Sequence, residues 1–431
     1  MNKKTKNVLS LVILVIACLV IFAACNKTAD INTYSEEDLG VLGKLVFLMH
    51  KWIGNYGWTV VVFTVFLKIL MLPLEFWQRY AQRKSSLKMQ QMQPVIEEID
   101  KRYGANTQRA NEEKQKLYKK QGFSMMSSCL PMLVTMAVFI IMFTGLRNYS
   151  QYSSINNFKV LSNEYYQVYS EQILDKNESG EYIHADLANL YIEKRDSAID
   201  EAKDDNADIT KLRGQISGIL AVQEKYPNEC ETFKQVAIEA VQAKFEETRE
   251  SWLWIQNVWQ PDTWASILQP YEGGSFAGGG FSTTVNLANY PDSTKGAVTY
   301  EIIRNAVLQT GGYGKNGTWN GLMILPVLSI GLSFLSTFIS QRIERKNRKG
   351  EVVQQNAQQA TTNKMMMIIM PLMMAWFGFI YTGAFAIYMV VNHTLSIVTT
   401  VALRKPVEMM INRKMNKDDK KNKSNKASYM R

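Results

Sequence analysis

Trp58-Thr-Val-Val-Val-Phe63-Thr64-Val-Phe-Leu-Lys68-Ile-Leu-Met-Leu-Pro73-Leu74 is the run whose reading decides the fold. Within residues 52–78 it is apolar and long enough to cross a bilayer as a helix. Near its middle stands one charge, Lys68, with no compensation evident in the run. A charge at that depth costs about 2.5–3.5 kcal/mol on insertion scales. Snorkelling to a headgroup would require a climb of roughly 15 Å, at about 1.5 Å per residue, towards the polar flank near Gln78. The side chain is too short for that, so the preferred reading is that Lys68 faces a wet cavity inside the membrane.

Outward from this span, charge divides the chain. Residues 147–319 carry 15 Lys/Arg against 24 Asp/Glu, a net of −9 in a chain of +10. The rest therefore carries +19. The cations gather in 79–128 (11 against 5 acidic residues), in 341–364 and in 404–431 (10 against 3). Apolar runs at 52–78, 129–146, 320–340, 365–381 and 383–403 alternate with these segments. With residue 26 outside, five spans place every basic segment in the cytosol and the acidic one outside, as the positive-inside rule requires. The expected fold class is an all-α integral membrane protein: a five-span helical bundle with a cytosolic helical hairpin at 79–128 and a large helical extracytoplasmic insertion at 147–319. The C-terminus is cytoplasmic, and the setting is a bacterial plasma membrane. Because the basic residues are interleaved with spans, DNA ranks low as a partner.

Residues 1–24 have the charged start and apolar run of a signal segment. They end in Phe22-Ala23-Ala24-Cys25, which resembles a bacterial lipobox and makes Cys25 the candidate for lipidation. An uncleaved signal anchor is the alternative. Residues 25–51 then form an extracytoplasmic linker ending in an apolar segment, Leu42–His50. The hairpin reads as helices over roughly 80–103 and 107–121, with Thr107 as N-cap and a kink or restart at Pro94. In the insertion, breaks at Asn177–Gly180, Asp204–Asn206 and Pro227-Asn228 suggest about four helices. Four tryptophans fall within Trp252–Trp264, which suggests a stretch lying along the outer membrane interface. Residues 271–318 read as Gly-rich loop with one helix near 297–309. Gly311-Gly-Tyr-Gly-Lys315 lacks the spacing of a phosphate loop. Cys18, Cys25, Cys129 and Cys230 show neither a disulfide framework nor metal spacing. No catalytic constellation, metal site or cofactor motif is found, and the chain is not expected to be an enzyme.

Several short pieces together resemble the YidC/Oxa/Alb family of membrane protein insertases. They are Gly54-Asn55-Tyr56-Gly57-Trp58, Thr64 through Pro73-Leu74, Lys88-Met89-Gln90-Gln91-Met92-Gln93-Pro94 and Cys129-Leu130-Pro131. They continue with Trp254-Ile255, Pro261-Asp262, Ile369-Met370-Pro371-Leu372-Met373 and Gly383-Ala384-Phe385-Ala386-Ile387-Tyr388. The resemblance implies a hydrophilic groove, open to the cytosol and to lipid, with a positive residue on the first span. Lys68 takes that position where the family usually has Arg, so the bidentate fork is lost and the charge kept. Thr64, Thr135 and Asn392 would add hydrogen-bonding capacity. His393 reads as a helix-packing group, with a proton relay as its alternative. The implied partners are nascent membrane proteins and membrane lipids, the ribosome through the basic tail and cytosolic loops, and the Sec translocon. A small-solute transporter and a lipoprotein sensor are the rival readings.

Overall fold

The computed structural model describes residues 28–103, 106–120, 125–202, 207–264, 266–272, 281–287, 290, 296–310, 320–346 and 381–413. The signal segment with Cys25, Gly311–Lys315, loop residues 347–364, fourth-span residues 365–380 and the tail from 414 lie outside them, as does the Thr135 side chain. The chain is mostly helical. Among the described residues two helices, Tyr56–Lys88 and Gly383–Arg413, are long and apolar enough to cross a membrane, and Ile324–Ser340 is a shorter apolar helix. The chain divides into two compact units.

The first unit comprises Met1–Val60, Met142–Pro326 and Trp376–Ile387. It holds β1 (Ala29–Asp30), a short 3-10 helix (Glu36–Leu39) and α1 (Gly40–Ile53). Gly54 ends α1 in the left-handed region (φ 75°), donating its N–H to His50 O at 2.8 Å. Its larger helices are the distal part of α4 (Met125–Ile173), α5 (Ala185–Asp200), α6 (Ala207–Lys225), α7 (Cys230–Thr248) and α8 (Gly296–Thr310). Their apolar faces close over one core in which Tyr166, Tyr169, Leu212, Ile219, Phe245 and Ile303 are buried. On α6, Gly214 and Gly218 recur one turn apart, so they share a face. A Cβ at Gly218 would stand 2.5 Å from the Tyr191 ring of α5, and one at Gly214 would stand 2.7 Å from Ile199. The two helices lie that close because this face carries no side chain.

Helix α4 runs unbroken from Met125 through Gly145, Arg147 and Asn148 to Ile173, so the apolar run at 129–146 and the start of the insertion share one helix. Some expectations are corrected here. The helix read near 297–309 is α8, but the linker at 25–51 and the Gly-rich loop also hold a short strand each, which was not expected. β1 pairs in parallel with β2 (Val285–Asn286), with Ala29 opposite Val285. Strands of two residues are too short to leave an alternation in sequence. Trp259 and Val258 are buried, while Trp264 is exposed.

The second unit comprises Val61–Ile141, Val327–Ala375 and Tyr388–Arg431. Its spine is α2, one helix from Tyr56 to Tyr103 that contains Pro73 and Pro94. No second helix restarts at residue 80 or at Pro94. A proline removes one backbone bond, and burial of Met92 and Ile96 on either side of Pro94 supports the turn around it. α3 (Thr107–Lys120) returns beside it, joined by a Lys114–Asp100 ion pair. Its cap is Asn106 rather than Thr107: the Asn106 Oδ1 accepts from Arg109 N at 3.1 Å. α9 (Ile324–Lys346) and α10 (Gly383–Ala402) supply the remaining described helices of this unit, and residues 404–413 continue helically after Leu403.

Candidate functional site

Helix α2 has two opposite characters. Val62, Phe66, Ile69, Leu70 and Trp77 are exposed, and at 100° per residue they share a sector of about 100°. Thr64, Lys68, Glu75 and Arg79 share a sector of about 60° on the far side. An apolar surface on one face and a polar stripe on the other suit a helix with lipid on one side only.

α10 meets that stripe with its own. Asn392, Ser396, Thr399 and Thr400 recur at helical spacing. The Lys68 Nζ lies 2.5 Å from Glu75 Oε1 and donates to Ser396 Oγ at 2.8 Å. Further along both helices, Arg79 Nη2 donates to Thr400 Oγ1 at 2.8 Å. Thr400 donates its own hydroxyl to Ser396 O at 2.6 Å, which leaves its lone pairs to Arg79. Both contacts advance in the same chain direction, so α2 and α10 run parallel here.

Lys68 is therefore not an uncompensated charge. Its side chain and that of Glu75 are 10% and 17% exposed. Removing one partner from a largely buried pair of this kind costs about 3–5 kcal/mol, because the other charge is left alone. Of the residues singled out from sequence, Thr64 is buried one turn before Lys68 on the same face. Asn392 and His393 are partly buried one turn before Ser396, and His393 stands within electrostatic reach of Lys68. The His393 Nε2 is buried and makes no hydrogen bond among the described residues. Glu75, Arg79, Ser396 and Thr400 were not singled out. Their sequence signal is the recurrence of polar residues at spacings of four and seven inside apolar helices.

The first unit holds a second, structural constellation. Asp262 is fully buried, and its carboxylate accepts from Leu322 N at 2.9 Å and Leu325 N at 2.8 Å at the start of α9. The Asn320 side chain bonds Asn257 N (2.8 Å) and Pro261 O (2.8 Å). Gly383 and Ala384, opening α10, donate to Gln260 O and Val258 O. The segment 256–263 thus fixes where two apolar helices begin. At the other end of this segment, Glu250 pairs with His50 at 3.1 Å and accepts from Tyr56 N at 3.1 Å. Tyr149 stacks on Tyr56 at 5.1 Å, and burial together with the Glu250 charge pushes its phenol above the usual range. Beneath Trp252 lies Gly57, where a Cβ would collide with the indole.

Chemically, the α2–α10 site can hold a carboxylate by a fixed ammonium and supply hydroxyl donors and acceptors beside it. Among the described residues no cluster of three or more His, Cys, Asp or Glu side chains could hold a metal.

Residues 48–175 and 232–413 match a family model described as the 60Kd inner membrane protein. Similar proteins carry the name membrane protein insertase YidC. One from Caldanaerobacter subterraneus subsp. tengcongensis is 41% identical over 113 residues, covering 26% of this chain and 53% of the relative. Another from Endomicrobium trichonymphae is 36% identical over 129 residues, covering 28% of this chain and 24% of the relative. A third, from Stenotrophomonas maltophilia strain K279a, is 35% identical over 122 residues, covering 27% and 20%. The chain thus spans about half of the first relative's length and a quarter or less of the other two. No solved structure matches. Residues 176–231, with α5 and α6, fall outside the family match.

Proposed function

We propose that this chain, which belongs to the 60Kd inner membrane protein family, is a membrane protein insertase of the bacterial inner membrane. The observation that carries the reading is the polar seam between α2 and α10, built around Lys68 inside helices whose other faces are apolar. The names of the similar proteins point the same way. A polar segment of a new protein meets a large penalty in bare lipid, because its backbone and charged groups go unsatisfied. A polar seam shortens the apolar path. Lys68 attracts acidic residues of the arriving segment, and Thr64, Ser396, Thr400 and Asn392 exchange hydrogen bonds with its backbone. The apolar part then leaves sideways into lipid, with about 0.8 kcal/mol released per buried CH₂. No covalent step is involved.

The five-span arrangement belongs to the same proposal: spans at 52–78, 129–146, 320–340, 365–381 and 383–403, outer helices in 147–319 and a cytoplasmic C-terminus. It is supported by the alternation of basic and acidic segments. Lipidation at Cys25, contact with the ribosome through the basic tail and cooperation with the Sec translocon complete it.

The test is reconstitution of the full chain in liposomes with a single-span substrate bearing a short acidic tail. Protease protection of the tail is measured for wild type, for Lys68→Arg and for Lys68→Ala combined with Glu75→Gln, which leaves no carboxylate buried alone. Protection by the first two and not by the third is expected. No protection above empty liposomes for wild type would overturn the insertase reading. Equal protection by all three would remove Lys68 from it.

A further inference from the structure

We propose that Glu75 is the resident counter-ion of Lys68 and sets how strongly the protein selects for acidic segments in the chains it inserts; this rests on the insertase reading. Three observations carry it. First, the pair is close and largely sheltered, with Lys68 Nζ 2.5 Å from Glu75 Oε1. In the resting seam the cation is already satisfied, so a segment passing it does not meet a bare ammonium. Second, the carboxylate is held from one side only: Oε2 is buried and accepts no hydrogen bond among the described residues. A carboxylate with one oxygen unserved is easier to displace than one gripped at both. Third, a second cation waits one turn along the same face. Arg79 is four residues beyond Glu75 and within its electrostatic reach, and only one of its five donors is accounted for by the bond to Thr400.

Exchange follows from this layout. Lys68, Glu75 and Arg79 together carry two positive charges and one negative charge. A carboxylate arriving at Lys68 displaces Glu75 towards Arg79, and two pairs then stand where one stood. An acidic segment gains its own pairing with Lys68 less what Glu75 loses in passing from Lys68 to Arg79, while a neutral segment loses little. With Gln at position 75 the ammonium is bare, so acidic segments are favoured more and basic ones disfavoured more.

The experiment uses the full chain in liposomes and a single-span substrate whose short tail carries Asp, Asn or Lys at one set of positions. Protected tail is read as the Asp/Asn and Lys/Asn ratios for wild type, Glu75→Gln and Glu75→Asp. Wild type is expected to give an Asp/Asn ratio above one, since an arriving carboxylate takes Lys68 while Glu75 passes to Arg79. Glu75→Gln is expected to raise it about fivefold or more, the lower end of couplings between interacting sites, and to lower Lys/Asn by a similar factor. A misfolded seam would depress all three tails alike and leave the ratios near one. Glu75→Asp, whose carboxylate is withdrawn by about one bond (~1.5 Å), moves both ratios in the same directions by less and serves if the Gln variant does not fold. Ratios unchanged from wild type in whichever variant folds would overturn this inference and leave the insertase reading intact. Failure of wild type to protect any tail above empty liposomes would sink both.

Discussion

Replacing Asp262 with Ala removes the cap of α9 from outside the helix. α9 has no side-chain cap of its own, because the residue before Ile324 is Met323, apolar and held at φ 59°. The carboxylate of Asp262 serves instead, through Leu322 N and Leu325 N, with Trp254 Nε1 at 3.4 Å beside it. Alanine leaves both backbone N–H groups without that acceptor, the one at Leu325 in a buried setting. Hydrogen bonds to a charged acceptor contribute about 1.5–3 kcal/mol each. The two share one carboxylate and are not independent, so the loss is about 3–4 kcal/mol rather than the full sum. Asp262→Asn keeps one acceptor oxygen and turns an amide donor towards the other N–H, and about half that loss is expected. At about 2–4 °C per kcal/mol for a cooperative unit of about 150–250 residues, the Ala variant should melt roughly 6–16 °C lower. The assay is thermal unfolding of the full chain in detergent, followed by helicity and by tryptophan fluorescence. An Ala variant that melts with wild type, or an Asn variant as damaged as Ala, would refute the capping argument.

Gly218→Val sets a branched side chain against the Tyr191 ring and should destabilise the larger helices of the first unit by about 1–3 kcal/mol, read as faster proteolysis between α5 and α7. Alkaline pH should loosen the same core. Burial raises Tyr165, Tyr166, Tyr169, Tyr290 and Tyr300, with Tyr166 pushed up to about 12. The unfolded chain releases these protons near pH 10 and the folded one later. Stability therefore falls as pH rises through 10 to 12, by about 1.4 kcal/mol at pH 11 for a residue like Tyr166. Tyr166→Phe should recover that amount, and tyrosinate absorbance that rises with no late phase would contradict it. Deleting residues 412–431 should lower co-sedimentation with ribosomes at low salt; an unchanged yield would discount the tail as a docking element.

The first unit was legible where punctuation is strong. The chain turns at Asn177–Gly180, with Gly180 at φ 82°, and between α6 and α7 at Pro227-Asn228, because Gly and Pro decide local geometry whatever surrounds them. Boundaries set by composition alone were less reliable. The change from apolar to polar at Arg147-Asn148 leaves no mark on the helix, which continues to Ile173. The β1–β2 ladder could not be read at all, since its partners are far apart in sequence and two residues long. Pro261-Asp262 was visible as a resemblance, but its work as a distant cap for α9 depends on a fold that brings residue 262 to residue 325.

The misreading of Lys68 has a sharper cause. Compensation was sought only within the apolar run, which was taken to end at Leu74, one residue before Glu75. Glu75 is seven residues from Lys68, two turns and about 10.5 Å along the axis. The two side chains lie on the same face and meet across two turns, with Ser396 and Thr400 of a parallel helix bonded to Lys68 and Arg79 of that face. The partner of a membrane charge is thus set by which second helix covers its face. A period-seven acid on the same helix becomes a partner only once that covering helix excludes the alternatives. The same logic says that Thr64, Lys68, Glu75 and Arg79 should be judged as one stripe, and that a substitution at any of them changes the charge balance seen by all.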